Sequence, residues 1–137
     1  MYNFNQGFAV GQDSTVFSGL LEQQTATPPI GNQSILGIYV GGTLNPVEAS
    51  ITDAVSFFQA DGNGNLNGIQ NYSGSSGSGT QNLSATYSVD ASGRAVVTPN
   101  PNGNLGGVMY VISAKKVVLL PSGATPVLST FSSAQTQ

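Results

Sequence analysis

Few side chains of this 137-residue chain are able to do acid–base, nucleophilic or metal chemistry. Histidine and cysteine are both absent, which removes the usual general base, the thiolate nucleophile and the imidazole metal ligands. Two carboxyl groups roughly 5 to 10 Å apart would still suffice for glycoside hydrolysis. The acidic residues lie mostly in predicted turns or at strand ends, where capping and solubility account for them: Asp13, Glu22, Glu48, Asp53, Asp61 and Asp90. We therefore predict that the chain is not an enzyme and carries no cofactor.

One short run places oxygen-bearing side chains at alternate positions, as calcium-binding loops do. It extends from Asp61 to Asn65 (DGNGN), and Ca²⁺ takes several oxygen ligands from one tight loop. An EF-hand loop beginning at Asp61 needs glycine at its sixth position and glutamate at its twelfth, but Leu66 and Tyr72 stand there. The run therefore favours a hairpin turn, and Asp61, Asn63 and Asn65 are the candidate ligands of the alternative, a cation site.

The charge balance argues against nucleic acid as a partner. The chain has three basic residues, Arg94, Lys115 and Lys116, against six acidic ones, too few for the cationic surface that a phosphate backbone requires. Lys115 and Lys116 are adjacent, and this position favours a solvated turn.

The composition indicates an extracellular or cell-surface protein. Charged residues make up 7% of the chain, far below the roughly 25% of an average globular domain, and Asn, Gln, Ser, Thr and Gly supply the polarity instead. The first residues lack the basic and apolar regions of a signal peptide, so we expect such a peptide to have been removed or to lie upstream. No stretch approaches the roughly 20 apolar residues of a membrane helix, which predicts no membrane span.

Short apolar runs with period-two alternation, separated by Gly and Pro, predict β-strands throughout. In 83–90, Leu83, Ala85, Tyr87 and Val89 share one face of a strand. The predicted strands are 8–10, 16–21, 35–40, 55–59, 66–72, 83–90, 94–98, 108–113, 117–120 and 127–131. This pattern predicts a single all-β domain over 1–137, an antiparallel up-and-down barrel of about eight to ten short strands or, alternatively, a β-sandwich.

Two segments complicate the strand pattern. Residues 73–80 (SGSSGSGT) have the composition of a flexible loop, and 99–107 predict another glycine-rich connection. In 46–60, an Asn45 cap, Pro46 and Glu48 at helix-start positions are followed by apolar residues at helical spacing. The β-branched and aromatic content of 51–58 favours a strand there, with one helical turn near Pro46, and a helix remains the alternative.

A short internal sequence repeat links the two ends of the chain. Residues 16–20 (VFSGL) recur as 127–131 (VLSTF), and Gln24-Thr25 recurs as Gln135-Thr136, both at an offset of 111 residues. The match is either chance between short β segments or the mark of a tandem array. In the second case residues 1–26 correspond to the closing strands of a preceding repeat.

A set of turn and strand motifs extends over nearly the whole chain: 8–14 (FAVGQDS), 37–39 (GIY), 60–65 (ADGNGN), 85–94 (ATYSVDASGR) and 110–113 (YVIS). Together they resemble the repeat modules of large secreted acidobacterial proteins of unassigned function. That resemblance implies a lipocalin-like, or calycin, antiparallel barrel and transfers no catalytic residue. The family tends to read Gly-Thr-Tyr where this chain has Ala85-Thr86-Tyr87.

Aromatic residues in the predicted strands are candidates for the core or for the lining of a ligand cavity. We single out Phe57, Phe58, Tyr87 and Tyr110. The leading functional hypothesis is a structural or interaction module that associates with itself or with neighbouring repeats. The alternatives are a lipocalin-like carrier of a small apolar ligand and a carbohydrate-binding adhesin module.

Overall fold

Ten β-strands are found in a computed structural model that describes residues 6–10, 18–43, 53–122 and 128–133, with the backbone alone for 6–10 and 18–21. In chain order they are β1 (Gln6–Val10), β2 (Ser18–Glu22), β3 (Leu36–Thr43), β4 (Asp53–Asp61), β5 (Asn65–Gly74), β6 (Gly77–Val89), β7 (Arg94–Pro99), β8 (Gly107–Ser113), β9 (Lys116–Pro121) and β10 (Ser129–Ser133). Each of the ten predicted strands overlaps one of these.

Strands β3 to β10 form a closed antiparallel barrel. Each strand from β3 to β9 pairs with the next one in sequence, and β10 closes the barrel by pairing with both β9 and β3. This is an eight-stranded up-and-down barrel of the lipocalin-like type, as predicted, and not a sandwich. Closure removes the free sheet edges that such short strands would otherwise expose.

The core fills the barrel with side chains from alternate positions of every strand. In β4, Ser56, Phe58 and Ala60 face inward and are buried, while the residues between them are exposed. The Phe58 ring stacks on Tyr39 with centroids 5.2 Å apart and meets the edge of Phe131 at 5.0 Å. The buried apolar residues are Ile35, Tyr39, Phe58, Ala60, Leu66, Leu83, Ala85, Tyr87, Ala95, Val97, Leu105, Met109, Val111, Val117, Leu119 and Phe131.

A segment before β3 closes one end of the barrel, at the turns 62–64, 90–93 and 114–115. It contains a single turn of 3₁₀ helix, Asn32–Ser34, followed by the buried Ile35. The Tyr87 hydroxyl donates to the Ile35 carbonyl at 2.8 Å, and the Val89 N–H donates to the Asn32 Oδ1 at 2.8 Å. These bonds satisfy polar groups that the segment would otherwise bury unpaired.

Residues 73–80 were predicted to be a flexible loop, and that prediction is wrong. The pairing of β5 with β6 continues to Gly74 and Gly77, so the connection is a two-residue turn at Ser75 and Ser76. Gly77 has a φ of +124°, which glycine adopts without strain. Composition suggested a loop because glycine and serine are common in linkers, but their backbone groups pair in a ladder like those of any other residue.

The other ambiguous segments follow the favoured predictions. Residues 53–61 form the strand β4, paired on both sides, and not a helix. The predicted helical turn near Pro46 lies outside the described residues. The predicted connection 99–107 lies between the end of β7 at Pro99 and the start of β8 at Gly107.

Candidate functional site

The Asp61 carboxylate organises the turn between β4 and β5. Its Oδ1 accepts hydrogen bonds from the N–H groups of Asn63 and Asn65 at 2.8 and 2.9 Å, and its Oδ2 accepts one from the Asn65 side-chain amide at 2.6 Å. Gly62 and Gly64 have positive φ angles of 75° and 111°. Both oxygens of the Asp61 carboxylate are therefore engaged within the turn, as expected of a hairpin turn. Among the described residues, no three His, Cys, Asp or Glu side chains are grouped so as to hold a metal ion.

We expect acid to weaken the barrel partly through Asp61. The hydrogen bonds from Asn65 and Asn63 lower the pKa of this carboxyl from 3.8 to about 2, with the Asn65 side chain as the largest cause. A lowered folded-state pKa stabilises the fold above the unfolded pKa, and this stabilisation is lost as the pH falls from 3.8 toward 2. Urea unfolding between pH 5 and pH 2 should show a steeper loss of stability for the natural chain than for Asp61→Asn.

Asp53→Asn is the control for this pH effect, because the Asp53 carboxylate accepts a single long bond of 3.4 Å from Thr43. The Ser92 hydroxyl also lowers the pKa of Asp90. Asp90 is present both in the natural chain and in Asp61→Asn, so its titration does not distinguish their pH profiles. Parallel pH profiles for the natural chain and Asp61→Asn would contradict the role given to Asp61.

The four aromatic residues singled out from the sequence divide between the two sides of the barrel wall. Phe58 and Tyr87 face inward and are buried, as expected of core residues. Phe57 and Tyr110 are 45% and 47% exposed on the outer surface, so they do not line the interior. Successive residues of a strand point to opposite faces, and in β8 the inward positions belong to Met109 and Val111.

The barrel interior has an apolar half and a polar half. Near the closed end, the buried Tyr39, Phe58 and Phe131 rings pack on one another. Toward the other end, inward-facing polar side chains form a row across β4, β5 and β6. In this row Gln70 donates to Ser56 at 3.1 Å, Gln81 donates to Gln70, and Asn104 donates to Gln81 at 3.1 Å. Among the described residues, the interior side chains of Ser56, Gln70 and Gln81 thus bind one another, and the exposed Asn104 binds the end of this row.

The outer surface of the barrel carries two apolar faces. Face A consists of outward residues of β3, β4 and β5, namely Leu36, Ile38, Val40, Val55, Phe57 and Ile69. Face B consists of outward residues of β7, β8 and β9, namely Val96, Val108, Tyr110, Val118 and Leu120. Register places Val40, Phe57 and Ile69 side by side in face A, and Val96, Val108 and Leu120 side by side in face B.

Polar strands separate the two faces. The exposed side chains of β6 include Asn82, Thr86 and Ser88, and the outward residues of β10 are Thr130 and Ser132. In the strand order, three strands lie between β4 and β8 in either direction around the barrel. The centres of faces A and B therefore lie on opposite sides of the molecule.

A groove of about 620 Å³ extends face A away from the closed end. Gly42 and Val55, which pair across β3 and β4, are two of its lining residues. The remaining lining residues are mostly polar: Thr43, Asp53, Ala54, Asn71, Tyr72, Ser73 and Thr130.

Strands β1 and β2 form a separate antiparallel hairpin that shares no ladder with the described barrel strands. The offset of 111 residues maps Ser18–Glu22 onto Ser129–Ser133, the strand that closes the barrel. Leu20 pairs with Phe8, and its counterpart Phe131 pairs with Val117. The offset maps Phe8 onto Leu119, so β1 and β2 correspond to β9 and β10 as an antiparallel pair of strands, with a register that differs by two residues.

The segment after β2 ties this hairpin to the closed end of the barrel. The Glu22 carboxylate forms an ion pair with the Lys116 ammonium group. The Gln24 side-chain amide donates to the carbonyls of Val111 at 2.7 Å and Ser92 at 3.0 Å, and the Thr25 N–H donates to the Ile112 carbonyl at 2.7 Å. Sequence reasoning assigned Lys116 to a solvated turn and missed its ion pair.

Comparison with known proteins gives no relative. No protein-family model matches the chain, and neither a curated protein nor a solved structure matches it significantly. No helix in the described part of the chain has the length and apolar character needed to cross a membrane.

Proposed function

We propose that this chain is an extracellular structural module that associates with further copies of itself, or with neighbouring repeats of one protein, through the β1–β2 hairpin. One observation carries the proposal. The barrel closes with β10 between β9 and β3, while β1–β2 is an antiparallel pair at the positions that the offset of 111 residues assigns to β9 and β10, and it remains outside that barrel.

The hairpin needs a partner for a physical reason. Each of its two strands has one edge whose N–H and C=O groups take no part in the β1–β2 ladder, and an isolated two-stranded hairpin is marginally stable in water. The chain's own barrel is closed and offers it no edge. Strands of another unit are the partner that fits, either an equivalent hairpin or a barrel that lacks its closing strands.

Composition and the interior support a structural role over the alternatives. The chain has no histidine or cysteine, and its uncharged polar surface is typical of secreted bacterial surface proteins. Packing of Tyr39, Phe58 and Phe131 against one another occupies the space in which an apolar cargo would lie.

The paired substitutions Leu20→Pro and Leu21→Pro are expected to abolish association through the hairpin. Alternate N–H groups of a strand point to opposite edges, so two adjacent prolines remove one donor on each side of β2. Light scattering behind size exclusion, over a range of concentrations, should show a smaller mean mass for the double-proline chain than for the natural chain at each concentration. The barrel's thermal transition should stay unchanged.

The double substitution Leu20→Val and Leu21→Val is the matched control, because valine keeps both N–H donors and favours strands. This chain should associate like the natural one. A natural chain that stays a 13.9 kDa monomer at every concentration would contradict self-association through β1–β2.

A further inference from the structure

We infer that face A of one molecule binds face B of a second copy, so that barrels stack side by side in an open row. This contact involves neither β1 nor β2, and it therefore goes beyond the association proposed above. It rests on the size of the two faces, on their positions around the barrel and on the charges at their borders.

Face A is large for a surface that meets only water. Its six apolar residues are each between 36% and 63% exposed, and they lie on three adjacent strands. Together they expose on the order of 500 Å², near the upper limit of the largest apolar patch on a soluble monomer. A standard protein–protein interface buries about 800 Å² on each partner. Face A therefore supplies more than half of such an area, and a rim of neighbouring polar residues would have to supply the rest.

The positions of the two faces decide which face of a second copy binds face A. If face A bound face A, the resulting dimer would leave two copies of face B exposed to water. If face A binds face B, each interior molecule of a row covers both faces. A head-to-tail interface that does not close into a ring generates an open filament, and two faces on opposite sides of the barrel favour a straight row over a small ring.

The charges bordering the faces disfavour an A–A contact. Strands β3, β4 and β5 contain Asp53 and Asp61 and no basic residue. The two cations of β7, β8 and β9 have acidic partners in their own chain, Asp90 for Arg94 and Glu22 for Lys116. Arg94 pairs with Tyr110 of face B, and Asp61 pairs with Leu36 of face A. An A–A contact brings two acidic borders together, and this repulsion favours the A–B contact over it.

The shape of the faces also fits such a contact. Each is the outer side of a twisted antiparallel sheet, and two sheets of this kind pack face to face about 10 Å apart. Phe57 lies near the centre of face A and Tyr110 within face B, and aromatic residues are enriched among those that dominate binding energy.

The test uses one charged substitution on each face. Phe57→Asp disrupts face A and Leu120→Asp disrupts face B, while Asn82→Asp introduces the same residue on the polar strand β6 as a control. Light scattering behind size exclusion is applied to the full chain, and again to the chain with Leu20→Pro and Leu21→Pro, from which the hairpin contact has been removed.

We expect the parent and Asn82→Asp to form oligomers that grow with concentration in both backgrounds, and each face variant alone to be monomeric in the double-proline background. An equimolar mixture of the two face variants there should form a one-to-one dimer and nothing larger, since each retains one intact face. Ile38→Ser on face A and Val96→Ser on face B replace any variant whose circular dichroism shows loss of folding.

Three results would overturn the inference. In the first, the double-proline chain is monomeric at every concentration. In the second, the face variants associate as well as the parent does. In the third, Leu120→Asp alone still forms dimers, which would show that face A binds face A. If the natural chain associates and the double-proline chain does not, the contact through the β1–β2 hairpin is supported and the contact between faces A and B is contradicted.

Discussion

Replacing Phe58 by alanine is expected to lower the free energy of unfolding by about 3–5 kcal/mol. Phe58 is 1% exposed, and its ring contacts Tyr39 on one side and Phe131 on the other. These three residues belong to β4, β3 and β10, so the cavity would open at the seam where β10 closes the barrel. Equilibrium unfolding in urea at neutral pH, followed by circular dichroism, measures the change.

The adjacent Phe57→Ala provides the matched control, because it removes the same side chain from the outer surface. Phe57 is 45% exposed, and we expect its replacement to change the stability by no more than about 1 kcal/mol. The measurement should be made at a concentration where the chain is monomeric, since Phe57 belongs to face A. Equal losses for the two variants, or a larger loss for Phe57→Ala, would mean that the register of β4 is shifted by one residue.

The contrast between these two neighbours shows what alternation predicts and where it is ambiguous. In β6, apolar and polar residues alternate cleanly, and Leu83, Ala85 and Tyr87 are all buried as predicted. In β4, the pair Phe57-Phe58 places an aromatic ring on each face, and the sequence does not say which ring faces inward. The register with β3 and β5 decides this, and that register depends on partners distant in sequence.

The same ambiguity concealed the two apolar faces. Residues 108–112 and 117–120 are continuous apolar runs, which are typical of strands buried on both sides. In this barrel only one side of each strand is covered, so Tyr110 and Leu120 lie on the outer surface. The run itself was the available signal, because an apolar residue on the outer side of a closed barrel lies outside the barrel's own core.

The correspondence between the two hairpins was partly visible in the sequence. The match of 16–20 with 127–131 predicted a relation between strands near the two ends, and β2 and β10 occupy corresponding positions at that offset. The pairing of β10 with β3 leaves β1–β2 outside the barrel. This pairing could not be predicted from the match of 16–20 with 127–131. It depends on how many strands close the barrel, and curvature and stagger determine that number.

Strand β10 lies very close to β3 at Gly41, and replacing this glycine by alanine is expected to cost about 1–3 kcal/mol of stability. A Cβ atom at this position would lie 1.8 Å from the Thr130 carbonyl oxygen and 2.7 Å from the Phe131 Cα. Both are backbone atoms of β10, so the clash is relieved only if the closing strand moves away from β3. Urea unfolding of Gly41→Ala measures this cost.

Val40→Ala, which introduces the same residue one position earlier, is the control for Gly41→Ala. Val40 points outward and is about half exposed, and its substitution should change the stability by about 0.5 kcal/mol or less at concentrations where the chain is monomeric. A Gly41→Ala chain as stable as Val40→Ala would show that β3 and β10 are farther apart than described. Gly41→Ala would instead support the correspondence of the two hairpins if it weakens the barrel and raises association through β1–β2. In that case, loosening β10 from β3 allows the β1–β2 hairpin of another copy to pair in its place.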